Sequence, residues 1–104
     1  MSPWGFVRAC YEACIAYELW TRGLNVETQV ALPLVYEAVR IDAGYRIDMM
    51  VAGVLIVEIK AVSEITPIHK AQLLSYLRLS GLRVGLLLNF NVVRLRDGLT
   101  RMVN

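Results

Sequence analysis

The chain has 104 residues and a mass of 11.7 kDa, a size that predicts a single domain. Hydrophobic residues make up 57% of it and charged residues only 19%, which excludes intrinsic disorder. The formal charge of +2 is too small to identify a nucleic-acid-binding protein by itself. The longest apolar runs fall well short of the roughly 20 residues that span a bilayer, so we expect no membrane association.

Composition also bears on location and assembly. Residues 1–5 show neither the basic start nor the apolar stretch of a secretion signal, so we expect a cytoplasmic protein. Nine of the eleven basic residues are arginines, which suit phosphate groups but also ion pairs and subunit interfaces. Because so apolar a chain encodes more hydrophobic surface than one small core hides, we expect a homo-oligomer.

The first third of the chain predicts a helix followed by a strand. Residues 6–22 repeat apolar side chains with a helical period. Cys10 and Cys14 lie four residues apart in this helix, and because two thiols do not complete a zinc site, we predict buried, reduced cysteines. Residues 26–35 alternate and then become continuously apolar, which predicts a strand, and Pro33 restricts that strand to a sheet edge or a bulge.

The middle of the chain predicts a hairpin and a second helix. Residues 39–51 and 54–62 are two β-rich runs separated by Ala-Gly, a pattern typical of a hairpin. Thr66 and Pro67 then suit the N-cap and first position of a helix, whose apolar period stops near Gly81.

The last quarter predicts further strands. Residues 83–90 have few polar positions and resemble a buried strand, whereas residues 92–95 and 99–103 flank an Asp-Gly turn signal and predict a small terminal hairpin. The complete order of helix, three strands, helix, strand and hairpin indicates a layered α/β or α+β domain with a mixed sheet.

The central hairpin carries Asp48 in its first strand, and Glu58 and Lys60 in its second. Because side chains alternate along a strand, Glu58 and Lys60 share one face. A two-residue turn would place Asp48 on the opposite face, whereas a loop of odd length, or a bulge at Gly53, would bring it to the same face. We predict the loop of odd length.

Two neighbouring carboxylates would repel each other unless a cation lay between them. Mg²⁺ prefers such oxygen ligands and keeps several waters, one of which can become a nucleophile. Lys60 can then position or deprotonate this water and stabilise the charge on an attacked phosphate. The alternative is an ordinary ion pair on a solvated sheet face, either Glu58 with Lys60 or Asp48 with Arg46.

The spacing D-x(9)-E-x-K on a hairpin, after one helix and one strand, resembles the PD-(D/E)XK nuclease superfamily and, within it, the small GxxExxY family. The residues that carry the resemblance are 11–36, 45–51 (YRIDMMV), 54–62 (VLIVEIKAV), 67–92 and 97–104.

The resemblance implies a restriction-endonuclease-like αβββαβ core, with a mixed sheet flanked by helices and a C-terminal β hairpin, as one nuclease-like domain over residues 1–104. It further implies a nuclease that uses Mg²⁺ or Mn²⁺ to hydrolyse phosphodiester bonds, with DNA as the expected substrate. By position, Asp48, Glu58 and the Ile59 carbonyl would be metal ligands, and Lys60 the catalytic lysine.

The second helix adds Gln72 and Tyr76, four residues apart on one face. This pair resembles the QxxxY motif of exonuclease-type members of the superfamily, where it borders the site and the substrate strand. His69 faces the same way near the helix N-terminus, where it can meet a phosphate, and Arg46 completes the expected substrate-binding set. The alternative reading makes Tyr76 a core residue and His69 a solvated residue of the first turn.

One position departs from the family pattern. The family is named for a glycine, a glutamate and a tyrosine at intervals of three, and this chain has Gly5, Arg8 and Tyr11 there. Arginine cannot ligate a metal. Glu12 lies one turn beyond Arg8 and eleven residues before Gly23, a spacing similar to that of archaeal Holliday-junction resolvases, which implies that Glu12 is the assisting metal ligand and catalytic carboxylate.

The alternative is a weakened site. The chain would then be a nucleic-acid-binding protein, or a structural homo-oligomer, that retains the nuclease fold. The resemblance also leads us to expect a leading segment before Gly5, so a truncated or degenerate member of the family is a further alternative.

Overall fold

The computed structural model describes residues 3–36, 39–91 and 95–104, with side chains for residues 5–32, 45–91 and 97–104. The elements in chain order are α1 (Pro3–Thr21), β1 (Val26–Tyr36), β2 (Val39–Val51), β3 (Leu55–Lys60), α2 (Pro67–Ser80), β4 (Val84–Asn89), a short 3-10 helix (Leu95–Gly98) and β5 (Leu99–Val103).

The strands form a mixed sheet in the order β1-β2-β3-β4-β5. Strands β3 and β4 are parallel, because α2 carries the chain back across the sheet between them, and the other three neighbouring pairs are antiparallel. This mixed sheet with two helices confirms the predicted α+β, restriction-endonuclease-like fold class. Within the described ranges, neither helix is long and apolar enough to cross a membrane.

Two apolar cores lie on opposite faces of the sheet, one under each helix. Strand β3 shows the division, since Ile56 packs in the core beneath α2 and Val57 in the core beneath α1. The buried members of the α2 core are Ile47, Ile56, Leu73, Tyr76, Leu77 and Leu87. Those of the α1 core are Met49, Val51, Val57, Ile59 and Leu88, against which Tyr11, Ile15 and Leu19 of α1 pack.

Strand β1 confirms both expectations for Pro33. The strand lies at the edge of the sheet, and its register with β2 shifts between Leu32 and Leu34, the two neighbours of Pro33. Proline has no backbone N–H to donate, and the missing hydrogen bond costs least at a sheet edge or at an irregularity.

The prediction for the cysteines is wrong. Cys10 and Cys14 are both exposed free thiols. Helix α1 turns Tyr11, Ile15 and Leu19 toward the sheet, so the two positions just before Tyr11 and Ile15 lie outside the contact.

The C-terminal hairpin forms between β4 and β5. The antiparallel register runs from Val84 opposite Val103 to Leu88 opposite Leu99. Of the predicted first arm, residues 92–94 lie outside the described residues, and Leu95 begins the 3-10 helix instead of ending a strand. The Asp97-Gly98 turn signal ends that 3-10 helix, directly before β5.

Candidate active site

The loop between β2 and β3 has three residues, and its length is therefore odd, as predicted. Val51 pairs with Leu55, which leaves Ala52, Gly53 and Val54 in the loop. Ala52 and Gly53 have φ angles of 55° and 68°, and the Val54 N–H donates to the Val51 carbonyl at 3.1 Å. Such a left-handed pair matches the twist of the two strands.

This odd-length loop sets the register that brings the acidic side chains together. The β2–β3 pairing ends at Met49 opposite Val57, and one further step in the same register puts Asp48 opposite Glu58. Both side chains line the same cavity. The two carboxyl groups therefore converge instead of lying on opposite faces of the sheet.

A local rotation of the strand aims the Asp48 side chain. Ile47 and Met49 lie two residues apart and should share one face, yet they belong to opposite cores. The β1–β2 register places Gln29 across from Asp48, and Gln29 has a φ of 53°, which is unusual for a residue other than glycine. We attribute the change of face to this distortion, and strained backbone of this kind is often found at functional sites.

Asp48 is held by contacts from three separate elements. Its Oδ2 atom accepts the Ile59 N–H at 2.9 Å and lies 3.2 Å from the Arg8 guanidinium of α1. Its Oδ1 atom is 3.5 Å from the Gln29 Nε2 atom. The ion pair of Asp48 is therefore with Arg8 of the helix, and Arg46 instead donates to the Gln29 carbonyl at 3.1 Å.

Glu58 is almost fully buried, at 2% exposure, and is incompletely satisfied. Its Oε2 atom accepts the Asp48 N–H at 3.4 Å, whereas Oε1 has no hydrogen-bond partner among the described residues. Burial first, then the hydrogen bond and negative charge of the Asp48 side chain, raise the pKa of Glu58 to about 9, although Lys60 acts in the opposite direction. A nearby cation would favour the ionised form of this carboxyl group.

The oxygen atoms at this point fit a divalent cation. Asp48 and Glu58 offer carboxylate oxygens, one of which has no partner among the residues that the structure describes, and the Ile59 carbonyl lies beside them. Mg²⁺ is commonly held by one or two carboxylates and keeps several waters, so this set suffices. Among the side chains that the structure describes, no three acidic, histidine or cysteine residues gather as a metal-binding group.

Glu12 lies near the acidic pair but does not join it at the cavity. It is buried at 8% exposure and accepts the Gln29 Nε2 hydrogen at 2.9 Å. Because the same Nε2 atom approaches Asp48, the amide of Gln29 links Glu12 to Asp48. Of the described residues, those that line the cavity do not include Glu12.

The predicted substrate-binding residues surround the acidic pair. The cavity has a volume of about 500 Å³. Lys60 donates to the Gln72 Oε1 atom at 2.9 Å, so α2 holds the lysine beside Glu58. The predicted residues that line the cavity are Arg46, Asp48, Glu58, Ile59, Lys60, His69, Gln72 and Tyr76.

Tyr76 belongs to the core and also borders the cavity. Its side chain is only 4% exposed, and its ring lies 5.1 Å from that of Tyr45. Burial, followed by the nearby carboxyl groups of Glu58 and Asp48, raises the pKa of Tyr76 to about 12, although a hydrogen bond with Gln72 opposes this. The phenol therefore stays protonated at neutral pH and can donate a hydrogen bond.

His69 has a structural partner at the start of α2. Its Nδ1 atom accepts the Thr66 N–H at 2.9 Å, which closes the first turn of the helix. The expectation of a Thr66 N-cap with Pro67 following is confirmed. Since Nδ1 is occupied, Nε2 is the ring nitrogen that remains for another group.

Sequence reasoning missed two residues that support the site. Gln29 was one polar residue in an alternating strand, where an outward position is unremarkable. Asn89 gave a clearer signal, because it is the first uncharged polar residue after a run of three leucines in a strand expected to be buried. It is 3% exposed, its Oδ1 atom accepts the Val62 N–H at 3.1 Å, and its Nδ2 atom donates to the Val62 carbonyl at 2.8 Å.

We expect Asn89→Leu to lower the free energy of unfolding by about 1–3 kcal/mol, because it leaves both backbone groups of Val62 without their partner. Urea unfolding of the two proteins measures the difference. Asn91→Leu is the control, since its side chain is exposed and its effect should stay within about 0.5 kcal/mol. Equal stability of Asn89→Leu and the wild type would contradict the prediction.

Comparison with protein families matches residues 2–102 to the PD-(D/E)XK nuclease superfamily. The match covers nearly the whole chain. No curated protein and no solved structure matches the chain.

Proposed function

The chain belongs to the PD-(D/E)XK nuclease superfamily, and on that premise we propose that it hydrolyses phosphodiester bonds in DNA with the help of Mg²⁺ or Mn²⁺. The observation that carries the proposal is the buried Glu58 carboxyl group, which faces Asp48 across the hairpin and has one oxygen without a partner among the described residues. Such a group fits a cation-binding role better than a purely structural one.

Each residue of the site has a role in this proposal. Asp48, Glu58 and the Ile59 carbonyl would hold the metal, which would supply a water of lowered pKa and stabilise charge on the phosphate. Lys60, held by Gln72, would donate to the oxygen atoms of the attacked phosphate. Glu12 would assist through Gln29, which links it to Asp48.

The substrate assignment rests on the charges around the cavity. Three cationic side chains, Arg8, Arg46 and Lys60, line it together with the acidic pair. They suit a ligand that carries phosphates, and His69 and Tyr76 add groups that can donate hydrogen bonds to such a ligand. We propose DNA as this ligand.

Further details belong to the same proposal. We assign the chain to the GxxExxY family, as one nuclease-like domain that acts in the cytoplasm and forms homo-oligomers. Exposed aromatic side chains on α1 support self-association, since Phe6, Tyr17 and Trp20 are 63%, 62% and 67% exposed.

A second candidate function is nucleic-acid binding without efficient cleavage. The contact of Arg8 with Asp48 favours it, because a guanidinium already neutralises one of the proposed metal ligands. In that case binding should fall steeply as salt is raised, and no cleavage should occur.

Cleavage assays separate the two functions. We expect labelled DNA duplexes and single strands to be cut in Mg²⁺ or Mn²⁺, cutting to stop in EDTA, and activity to return when the metal is restored. Asp48→Asn is the test variant, and Asp97→Asn is its matched control, since Asp97 is an exposed acid outside the cavity. Binding without cutting in every metal would support the second function, and cutting that persists in EDTA would contradict the first.

A further inference from the structure

The position of Arg8 is the feature that the proposed function leaves unexplained. The side chain extends from α1, and its Nη1 atom lies 3.2 Å from Asp48 Oδ2 and 3.4 Å from the Ile59 carbonyl oxygen. These two oxygens come from β2 and β3, far from Arg8 in sequence. They are also two of the three groups that we assign to the metal.

A metal ion and this guanidinium cannot share the two oxygens. Mg²⁺ binds its ligands at about 2.0–2.1 Å, so an ion on both oxygens would lie in the space that Nη1 approaches. The guanidinium and the metal ion are both cations, so they also repel each other. Binding of the metal therefore requires Arg8 to move.

Arg8 replaces the metal only in part. It carries one positive charge and contacts Asp48, whereas the Glu58 Oε1 atom keeps no partner among the described residues. Removing Arg8 would take away the ion pair that it forms with Asp48 and would open the path to the Ile59 carbonyl. A divalent cation should then bind more tightly.

Arg8 can leave without disruption of the core. Its side chain is 30% exposed and lies at the cavity, so it can turn toward solvent while α1 stays in place. The apolar contacts of α1 with the sheet come from Tyr11, Ile15 and Leu19, and these residues need not move when the Arg8 side chain does.

We propose that Arg8 is an internal cation that occupies part of the metal position and excludes the metal until its side chain moves away. This inference rests on the proposed function, because it assumes that Asp48, Glu58 and the Ile59 carbonyl hold a divalent ion. It explains how Arg8 and the acidic pair occur together in one site. It also predicts that the wild type binds the metal weakly and that replacement of Arg8 strengthens this binding.

Calorimetric titration of Mn²⁺ into the full chain tests the inference. We expect Arg8→Ala to bind Mn²⁺ at least tenfold more tightly than the wild type. Arg22→Ala is the matched control, since it removes the same charge just after the same helix from a side chain that is 72% exposed. Its Mn²⁺ affinity should equal that of the wild type.

Thermal unfolding gives a second measurement that does not depend on activity. In EDTA, Arg8→Ala should melt below the wild type, because Asp48 has lost its ion pair, and Mn²⁺ should raise its Tm by more than it raises that of the wild type. If Arg8→Ala folds only when Mn²⁺ is present, the inference is supported. Arg8→Gln, which keeps a polar side chain but removes the charge, should also bind Mn²⁺ more tightly.

The outcomes distinguish the inference from the proposed function. If Arg8→Ala and the wild type bind Mn²⁺ with equal affinity, Arg8 does not exclude the metal, and the proposed function stands alone. Weaker binding by Arg8→Ala would overturn the inference in the same way. If neither protein binds Mn²⁺, the inference and the metal-dependent function both fail.

Discussion

Replacing Lys60 with methionine should reduce DNA cleavage in Mn²⁺ by at least about 100-fold. Methionine keeps most of the length of the side chain but removes the ammonium group that Gln72 holds at 2.9 Å beside the acidic pair. Removal of one preorganised donor that stabilises charge in the transition state commonly costs 10²–10³ in rate. Single-turnover cleavage of a labelled oligonucleotide measures the loss.

Lys70 provides the matched control, because it is the other lysine of the chain and lies exposed on α2. Lys70→Met should cleave at a rate close to that of the wild type. The Mn²⁺ affinity of Lys60→Met should change little, because the lysine is not among the proposed metal ligands. Cleavage by Lys60→Met at the wild-type rate would remove this residue from the mechanism.

The hairpin that carries the acidic pair was predictable because its geometry is local. Alternation along β3 assigns Glu58 and Lys60 to one face, and the loop length decides whether Asp48 joins them. The Ala-Gly pair signalled the turn, and three loop residues give the odd parity that the prediction required. Neither the alternation nor the loop length predicts the rotation of β2 at Asp48.

The orientation of α1 was not predictable to the same degree. Its inward-facing, partly buried positions Tyr11, Ile15 and Leu19 are no more apolar as a set than exposed ones such as Phe6 and Trp20. When both sides of a helix are apolar, periodicity does not identify the inward side, and packing against the sheet decides it. For this reason the cysteines were wrongly placed in the core.

The supporting contacts of the site were hidden because they join distant parts of the chain. The Arg8 contact with the Ile59 carbonyl spans 51 positions, and the Gln29 contact with Glu12 spans 17. The positive φ of Gln29 had no signal either, since glutamine does not favour that conformation. The sequence therefore predicted the acidic pair and its lysine, but not the side chains that hold them.

Without metal, the wild type should become less stable as the pH rises from 5 to 8, by about 2–4 kcal/mol in free energy of unfolding. Burial raises the pKa of Glu58 from 4.5, the ordinary value of an exposed glutamate, to about 9, so the folded state holds the extra proton across this interval. Stability falls with pH wherever the folded state binds more protons than the unfolded state. Urea unfolding in EDTA at several pH values measures the slope.

Glu58→Gln should flatten this slope, because the amide stays neutral at every pH and fills nearly the same space. At pH 8 in EDTA it should be more stable than the wild type, yet added Mn²⁺ should stabilise the wild type more than Glu58→Gln, since the amide lacks the negative charge that attracts the ion. Glu64→Gln, at an exposed position, should keep the wild-type slope. A slope unchanged in Glu58→Gln would mean that the pH dependence arises elsewhere, and equal Mn²⁺ stabilisation of both proteins would remove Glu58 from the metal site.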